Sequence, residues 1–195
     1  MLTVETDPVA VEERLRLGGL ACPGCRGVLA GWGRARARTV RDRDGGLRVV
    51  PRRARCTGCR ATHVLLPVSL LLRRADTASV VGAALEAKAA GGGHRRIAEL
   101  LGRPAATVRG WLRRFAGRVE PVRTVFTVRA RALAADPVLP GPAGSGWADA
   151  VAAVAAAAAA FIARFSVTVP VWQVACAVSA ARLLAPGWPD PTDQC

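Results

Sequence analysis

Four of the six cysteines fall in two matched pairs, Cys22-Pro23-Gly24-Cys25 and Cys56-Thr57-Gly58-Cys59. A C-x-x-C turn with an internal glycine presents two thiolates to one metal ion. Two such turns complete the tetrahedral Cys₄ set that structural zinc prefers. The expected cofactor is one structural Zn²⁺ held by Cys22, Cys25, Cys56 and Cys59. Three rival chemistries fit less well. A redox C-x-x-C sits in a βαβ setting, disulfides belong to oxidising compartments, and a catalytic zinc keeps open the position that a fourth cysteine closes. His63 follows the second pair, but two complete pairs make it unnecessary as a ligand, so it reads as a sheet residue. Cys176 lies in an apolar segment and reads as a small buried side chain. Cys195 is terminal and far in sequence from either pair.

A second constellation is basic. Residues 94–118 read HRRIAELLGRPAATVRGWLRRFAGR. Ile97, Leu100 and Leu101 share one face of a first helical segment, and Gly102-Arg103 breaks it. Pro104 suits the first turn of a new helix, where its missing N–H costs nothing. Val108, Trp111, Leu112 and Phe115 then fall at i, i+3, i+4 and i+7, a stripe to be buried. The opposite face carries Thr107, Arg109, Gly110, Arg113, Arg114 and Gly117. Two short helices joined at a glycine, the second with an arginine-rich outer face, have the form of a DNA-binding helix-turn-helix. The competing reading is a helical hairpin with a solvated basic face; pattern, turn and charge together favour double-stranded DNA as partner. Helix 104–118 would enter the major groove, with Thr107, Arg109, Gly110 and Arg113 on its base-reading face. Arg109 and Arg113 suit guanine, since a guanidinium can bind O6 and N7 together. Arg95, Arg96, Arg103, Arg114 and Arg118 would serve phosphates.

Bulk charge agrees. The formal net charge is +14, and it is concentrated: residues 126–195 balance Arg129, Arg131, Arg164 and Arg182 against Asp136, Asp149, Asp190 and Asp193. The whole excess therefore lies in the first two thirds of the chain, where a positive field suits a polyanion. The N-terminus is acidic and lacks a long apolar core, so it is no signal peptide, and a reducing cytoplasm is the default location.

The elements that must position these groups can be read in order. Asp7 caps and Pro8 opens a short helix that Gly18-Gly19 ends, within an N-terminal segment 1–19. Residues 20–66 form the metal module. Strand-like runs at Val28–Asp42 and Leu47–Arg55 flank the turn Asp44-Gly45-Gly46, and Thr62–Leu66 adds a strand. This is the layout of a zinc ribbon, whose small sheet would owe much of its folding energy to metal. Its arginines are Arg34, Arg36, Arg38 and Arg41 before the turn and Arg48, Arg52, Arg53 and Arg55 after it. Arg36 and Arg38 share a face if they lie in one strand. They serve either as charge that protects an edge strand or as phosphate contacts.

Residues 67–120 form the helix-turn-helix domain. Its first helix is capped by Asp76 or Thr77, runs to Ala90, and turns Val80, Val81, Ala84 and Leu85 inward. Residues 121–146 read as a linker, with Val122–Val128 a strand or extended and Asp136–Gly146 a loop. In 147–195, two alanine-rich helices, Trp147–Phe165 and Pro170–Ala185, suit an antiparallel hairpin, and their small side chains would also permit a homodimer. The uninterrupted apolar run Ala150–Ala163 is shorter than the roughly 20 residues a span requires, which argues against a membrane. The fold class is thus α+β: a small zinc ribbon, a three-helix homeodomain-like helix-turn-helix, then an alanine-rich helical hairpin.

The order of motifs, a paired C-x-x-C ribbon with RRARC at its second knuckle followed by HRRIAELLGRPAATVRGWLRRF, resembles the N-terminal DNA-recognition region of insertion-element transposases. It is also similar to small standalone zinc-ribbon and helix-turn-helix proteins. The resemblance covers residues 20–118. It implies zinc on Cys22, Cys25, Cys56 and Cys59, and the helix bearing Thr107, Arg109, Gly110 and Arg113 in the major groove. One departure is that Arg103-Pro104-Ala105 offers no capping hydroxyl, worth about 1 kcal/mol.

Catalysis is not expected. A full transposase would need carboxylates on organised strands to hold two divalent cations. The acids after Arg118 are Glu120, Asp136, Asp149, Asp190 and Asp193, mostly in proline-rich or terminal segments. No Ser-His-Asp set is evident, and Gly91-Gly92-Gly93 lacks the Lys and Ser/Thr of a phosphate loop. The chain therefore reads as a DNA-binding regulator or transposase-derived module. The alternative is a ribbon that docks on protein or RNA beside a purely structural helical unit.

Overall fold

A computed structural model of the chain describes residues 1–189; Asp190, Asp193 and Cys195 lie outside the described residues. The order is β1 (Leu2–Val4), α1 (Pro8–Arg16), β2 (Leu29–Arg34), β3 (Arg38–Arg41), β4 (Gly46–Val49), β5 (Arg52–Cys56) and β6 (Thr62–Pro67). Six helices follow: α2 (Ala78–Ala89), α3 (His94–Leu101), α4 (Ala105–Ala116), α5 (Val119–Leu133), α6 (Gly146–Phe165) and α7 (Val171–Val178).

The N-terminal third holds a four-stranded sheet in the order β1-β6-β5-β2, with β3 and β4 as a separate two-stranded pair. Together β2–β5 form one long bent hairpin. The N–H of Ala35 donates to the carbonyl of Pro51 at 2.8 Å, joining the β2–β5 end to the β3–β4 end. The turn at Gly45 has φ +141°, a value that favours glycine. Arg36 lies in the bend between β2 and β3, so it does not share a strand face with Arg38. Sequence reading missed β1, which pairs in parallel with β6, placing Leu2 opposite Leu65 and Val4 opposite Pro67. Three residues are too few to show an alternating pattern.

Strand β6 stands between two hydrophobic clusters. Leu65 packs with Val4, Val11, Leu15, Leu20, Leu29 and Ala54 beneath α1. Its neighbour Leu66 points the other way, into a larger cluster that runs from Val40 through α2–α7 to Trp188. Successive strand residues face opposite sides, so one strand serves both. Asp7 caps α1 by accepting from the N–H of Val9 at 2.9 Å, and Thr77 caps α2 by accepting from Val80.

Several expectations change in the C-terminal half. Residues 119–133 are helical, not an extended linker. Val122, Val125, Phe126 and Ala130 recur at helical spacing and are buried, and Pro121 falls in the first turn, where no intrahelical N–H is needed. Helix α5 packs along α6, burying Ala150, Ala153, Val154, Ala157 and Ala158. The two alanine-rich helices therefore do not stand apart as a hairpin; they close the same core as α2. The second is shorter than the expected 170–185: α7 ends at Val178, and Ala180 and Ala181 take positive φ. Helix α6, at 20 residues, is long and apolar enough by length and composition to cross a membrane, contrary to the count of uninterrupted apolar residues. One face of it is core: a third of its most apolar window is buried within the protein.

Candidate metal centre and nucleic-acid interface

The two C-x-x-C turns are built alike. In the first, the N–H of Cys22 donates to Gly27 at 2.7 Å and Arg26 takes φ +63°. In the second, the N–H of Cys56 donates to Ala61 at 2.9 Å and Arg60 takes φ +64°. Each turn thus folds back at the fifth residue after its first cysteine. The N–H of Thr57 reaches across to the carbonyl of Val28 at 2.9 Å and ties one turn to the other.

All four Sγ atoms lie within 4.8 Å of one another. The Cys25–Cys56 sulfurs are 3.4 Å apart and the Cys22–Cys59 sulfurs 3.7 Å. A disulfide requires roughly 2.05 Å, so these are free thiols. Tetrahedral coordination at about 2.3 Å places sulfurs about 3.8 Å apart, which the donor set matches. Cys22 and Cys56 are buried beneath the sheet, while Cys25 and Cys59 face solvent. A Cβ on Gly27 would stand 3.1 Å from the sulfur of Cys56 and 3.4 Å from that of Cys25, so a side chain there would crowd the sulfurs.

The electrostatics favour the thiolate at Cys22 and Cys25 and oppose it at Cys59. The backbone N–H of Gly27, then the neighbouring Cys56 and Cys59, bring the Cys25 thiol down to about 6. Backbone N–H groups of Cys25 and Gly24 lower Cys22. At Cys59 the N–H of Ala61 lowers the pKa, but the sulfurs of Cys25 and Cys56 outweigh it and push the thiol up to about 11. Four sulfurs this close cannot all ionise without a cation among them. His63 sits on β6, as expected, yet its Nε2 is 3.4 Å from the sulfur of Cys22. It borders the cluster without belonging to the four.

Helices α3 and α4 meet at Gly102, which takes φ +60°, and α4 starts without a side-chain cap at Pro104. Val108, Trp111, Leu112 and Phe115 are buried and turn the other face of α4 outward. Arg109 and Arg113 are exposed there, and Thr107 and Gly110 are half-buried. Arg114 folds back over the helix and donates to the carbonyl of Gly110 at 2.9 Å. Arg95 and Arg96 are exposed on α3. Leu100, expected in the core, is 74% exposed; Ala98 is buried instead, on the side of α3 that faces the other helices.

Two of the expected phosphate ligands are engaged inside the protein. Arg103 pairs with the buried Asp76 at 2.7 Å and donates to the carbonyl of Asp42 at 2.6 Å. Arg118 donates to the carbonyl of Ala185, and burial, then the nearby Arg114, lowers its pKa. Arg74 was not singled out in the sequence. It donates to Leu184 at 3.0 Å, and burial together with Arg114 and Arg118 lowers its pKa as well. It follows Arg73 directly, and nothing in the local sequence distinguishes which of the two turns toward the C-terminal segment.

A family model described as a homeodomain-like domain matches residues 77–123, from the cap of α2 into the first turns of α5. No curated protein and no solved structure matches the chain. The protein thus combines a homeodomain-like helix-turn-helix, which points to DNA binding, with a four-cysteine cluster compatible with zinc.

Proposed function

We propose that the chain is a zinc-dependent, non-catalytic DNA-binding protein of the cytoplasm that sets α4 into the major groove. The observation that carries this reading is the outer face of α4. Arg109 and Arg113 are exposed on one helix face within the homeodomain-like match, opposite a fully packed stripe. Four residues apart, they lie one above the other and can reach neighbouring base pairs. Arg95 and Arg96 on α3 stand free for the backbone.

Zinc on Cys22, Cys25, Cys56 and Cys59 would hold the two turns as a ribbon. It supplies folding energy and no chemistry, since four sulfurs leave no open position. The wider role is a transposase-derived recognition module or a transcriptional regulator, the reading supported by the motif order. Helix α6 is read as a core helix because its alanine face packs on α5.

The test is a selection from random duplex DNA with metal-loaded protein at physiological salt, where non-specific binding is weak. Enrichment of a motif supports base reading by α4, and a palindrome would add a dimer with a spacing to match. Salt-sensitive binding without enrichment would remove the base-reading role.

A further inference from the structure

The outer face of the four-stranded sheet carries a feature that duplex binding by α4 does not use. Leu29, Ala54 and Cys56 turn inward and are fully buried, so alternation sends Arg53 and Arg55 outward. Trp32 joins them at the irregularity where the register of β2 on β5 shifts, between Gly31 and Arg34. The Arg55 guanidinium lies over the indole, 4.7 Å from its centroid. Trp32 is nevertheless 51% exposed, whereas Trp111, Trp172 and Trp188 are at most 6% exposed.

The local sequence isolates this ring. It is flanked by Gly31 and Gly33, and Gly33 takes φ +84° with nothing near the position of a Cβ. β2 is an edge of the sheet, so no strand lies beyond it. An exposed indole on an edge strand is a liability for a free protein. No carboxylate pairs with Arg53 or Arg55 among the described residues; Glu12 is engaged by Arg52 and Arg34.

We infer that the Trp32–Arg53–Arg55 face is a second nucleic-acid site, which takes the unpaired bases of a single strand. Charge selects a polyanion. A phosphate backbone alone would need only the arginines, but an open indole offers a π-face, and bases present theirs only when unstacked. Arg55 fixes the ring plane and adds a cation to the stack. The site is built on β2 and β5 rather than on α4, and does not depend on the duplex reading.

The experiment uses the full metal-loaded chain with three probes: oligothymidylate, an abasic deoxyribose-phosphate strand of equal length, and the duplex recovered by selection. Affinity is read by anisotropy and stacking by quenching of tryptophan fluorescence, to which Trp32 contributes the one strongly exposed indole. Oligothymidylate is expected to bind at least tenfold more tightly than the abasic strand and to quench. Trp32→Ala is expected to weaken oligothymidylate by roughly five- to a hundredfold, the range of one base–aromatic stack. It should leave abasic and duplex affinities unchanged, and Trp32→Phe should retain part of the gain. Arg109→Ala should do the reverse, changing duplex preference alone, so the two sites fail separately. Equal affinity for the base-bearing and abasic strands overturns the inference with the wild-type protein alone. So does a folded Trp32→Ala that binds oligothymidylate normally, or one that only disperses a self-associated species, which would make the face a contact between copies.

Discussion

The Nε of Arg103 lies 2.7 Å from Oδ1 of Asp76, and the second carboxylate oxygen holds Arg41 at the same distance. Asp76 is 2% exposed and precedes the cap of α2; Arg103 is in the turn before α4; Arg41 ends β3. Thr77 extends the link, its hydroxyl donating to Asp42 at 2.9 Å and its N–H to the carbonyl of Arg41 at 3.0 Å. The tip of the long hairpin is therefore clamped onto the turn that orients α4, and the β3–β4 pair cannot swing independently of that helix at this point.

Removing one partner of a buried pair strands the other's charge. Asp76→Ala should cost about 3–5 kcal/mol, read as a lower denaturation midpoint. Arg103→Ala should also lower the midpoint while leaving the salt dependence of duplex binding intact. A stable Arg103→Ala protein whose salt slope falls by about one would instead make Arg103 a phosphate ligand.

The metal cluster and the helical core are separate hydrophobic units that meet at β6. The sheet unit holds few buried side chains, two of them Cys22 and Cys56 themselves. Chelation, or Cys56→Ser, should release one equivalent of metal and abolish amide protection in β2 and β5, while most helical circular dichroism remains. Gly27→Ala, by crowding Cys56, should weaken metal binding more mildly. Loss of sheet and helix together would show one cooperative unit instead.

What could be read beforehand depended on how local the determining physics is. The C-x-x-C turns, the Asp7 cap and the stripe on α4 are set within a few residues, and the structure places them as their spacing implies. Misreadings came where distant partners decide. Leu100 has a core-like identity but faces solvent, because the neighbours that cover α3 lie beside Ile97 and Ala98. Val122–Val128 looks β-branched enough for a strand, but α6 supplies a helical groove for it. Arg103 shows the same limit at the site: its charge is visible in sequence, and its commitment to Asp76 is not.

Gly82 gives a prediction whose sign propensity alone would get wrong. It sits inside α2, where replacing glycine by alanine ordinarily gains about 1 kcal/mol. A Cβ there would stand 2.1 Å from the indole of Trp172 on α7, whose Nε1 donates to Glu86 at 2.8 Å. Gly82→Ala must therefore displace Trp172 and should lower stability by about 1–3 kcal/mol. In a Trp172→Ala background Gly82→Ala should cost little or nothing, which a double-mutant cycle reads as a large coupling energy; simple additivity would mean that the two do not meet.

Cys176 is fully buried and donates to the carbonyl of Leu70 at 3.1 Å, and burial pushes its thiol up to about 12. A raised pKa keeps the thiol neutral across the neutral range, so the nucleophilic thiolate is scarce. Peptide mapping after alkylation should find Cys176 unmodified in the native protein at neutral and mildly alkaline pH, and modified in denaturant. Rapid native labelling would mean that α7 opens readily.

The base-reading and backbone roles proposed for the helix-turn-helix separate by what each mutation does across sequences. Arg109 is exposed on α4 with no protein partner at its guanidinium among the described residues, so its removal should affect only the base it is proposed to read. Arg109→Ala should lose about 1–3 kcal/mol on the selected site and relax preference at one position. Arg96→Ala, on α3, should weaken all duplexes alike and reduce the salt slope by about one. Because Arg114 folds onto Gly110 and Arg118 onto Ala185, their alanine variants should change the slope less than Arg96→Ala does. If Arg109→Ala lowers affinity uniformly, with the preferred sequence unchanged, then α4 touches phosphates rather than base edges, and specificity must come from elsewhere on the protein.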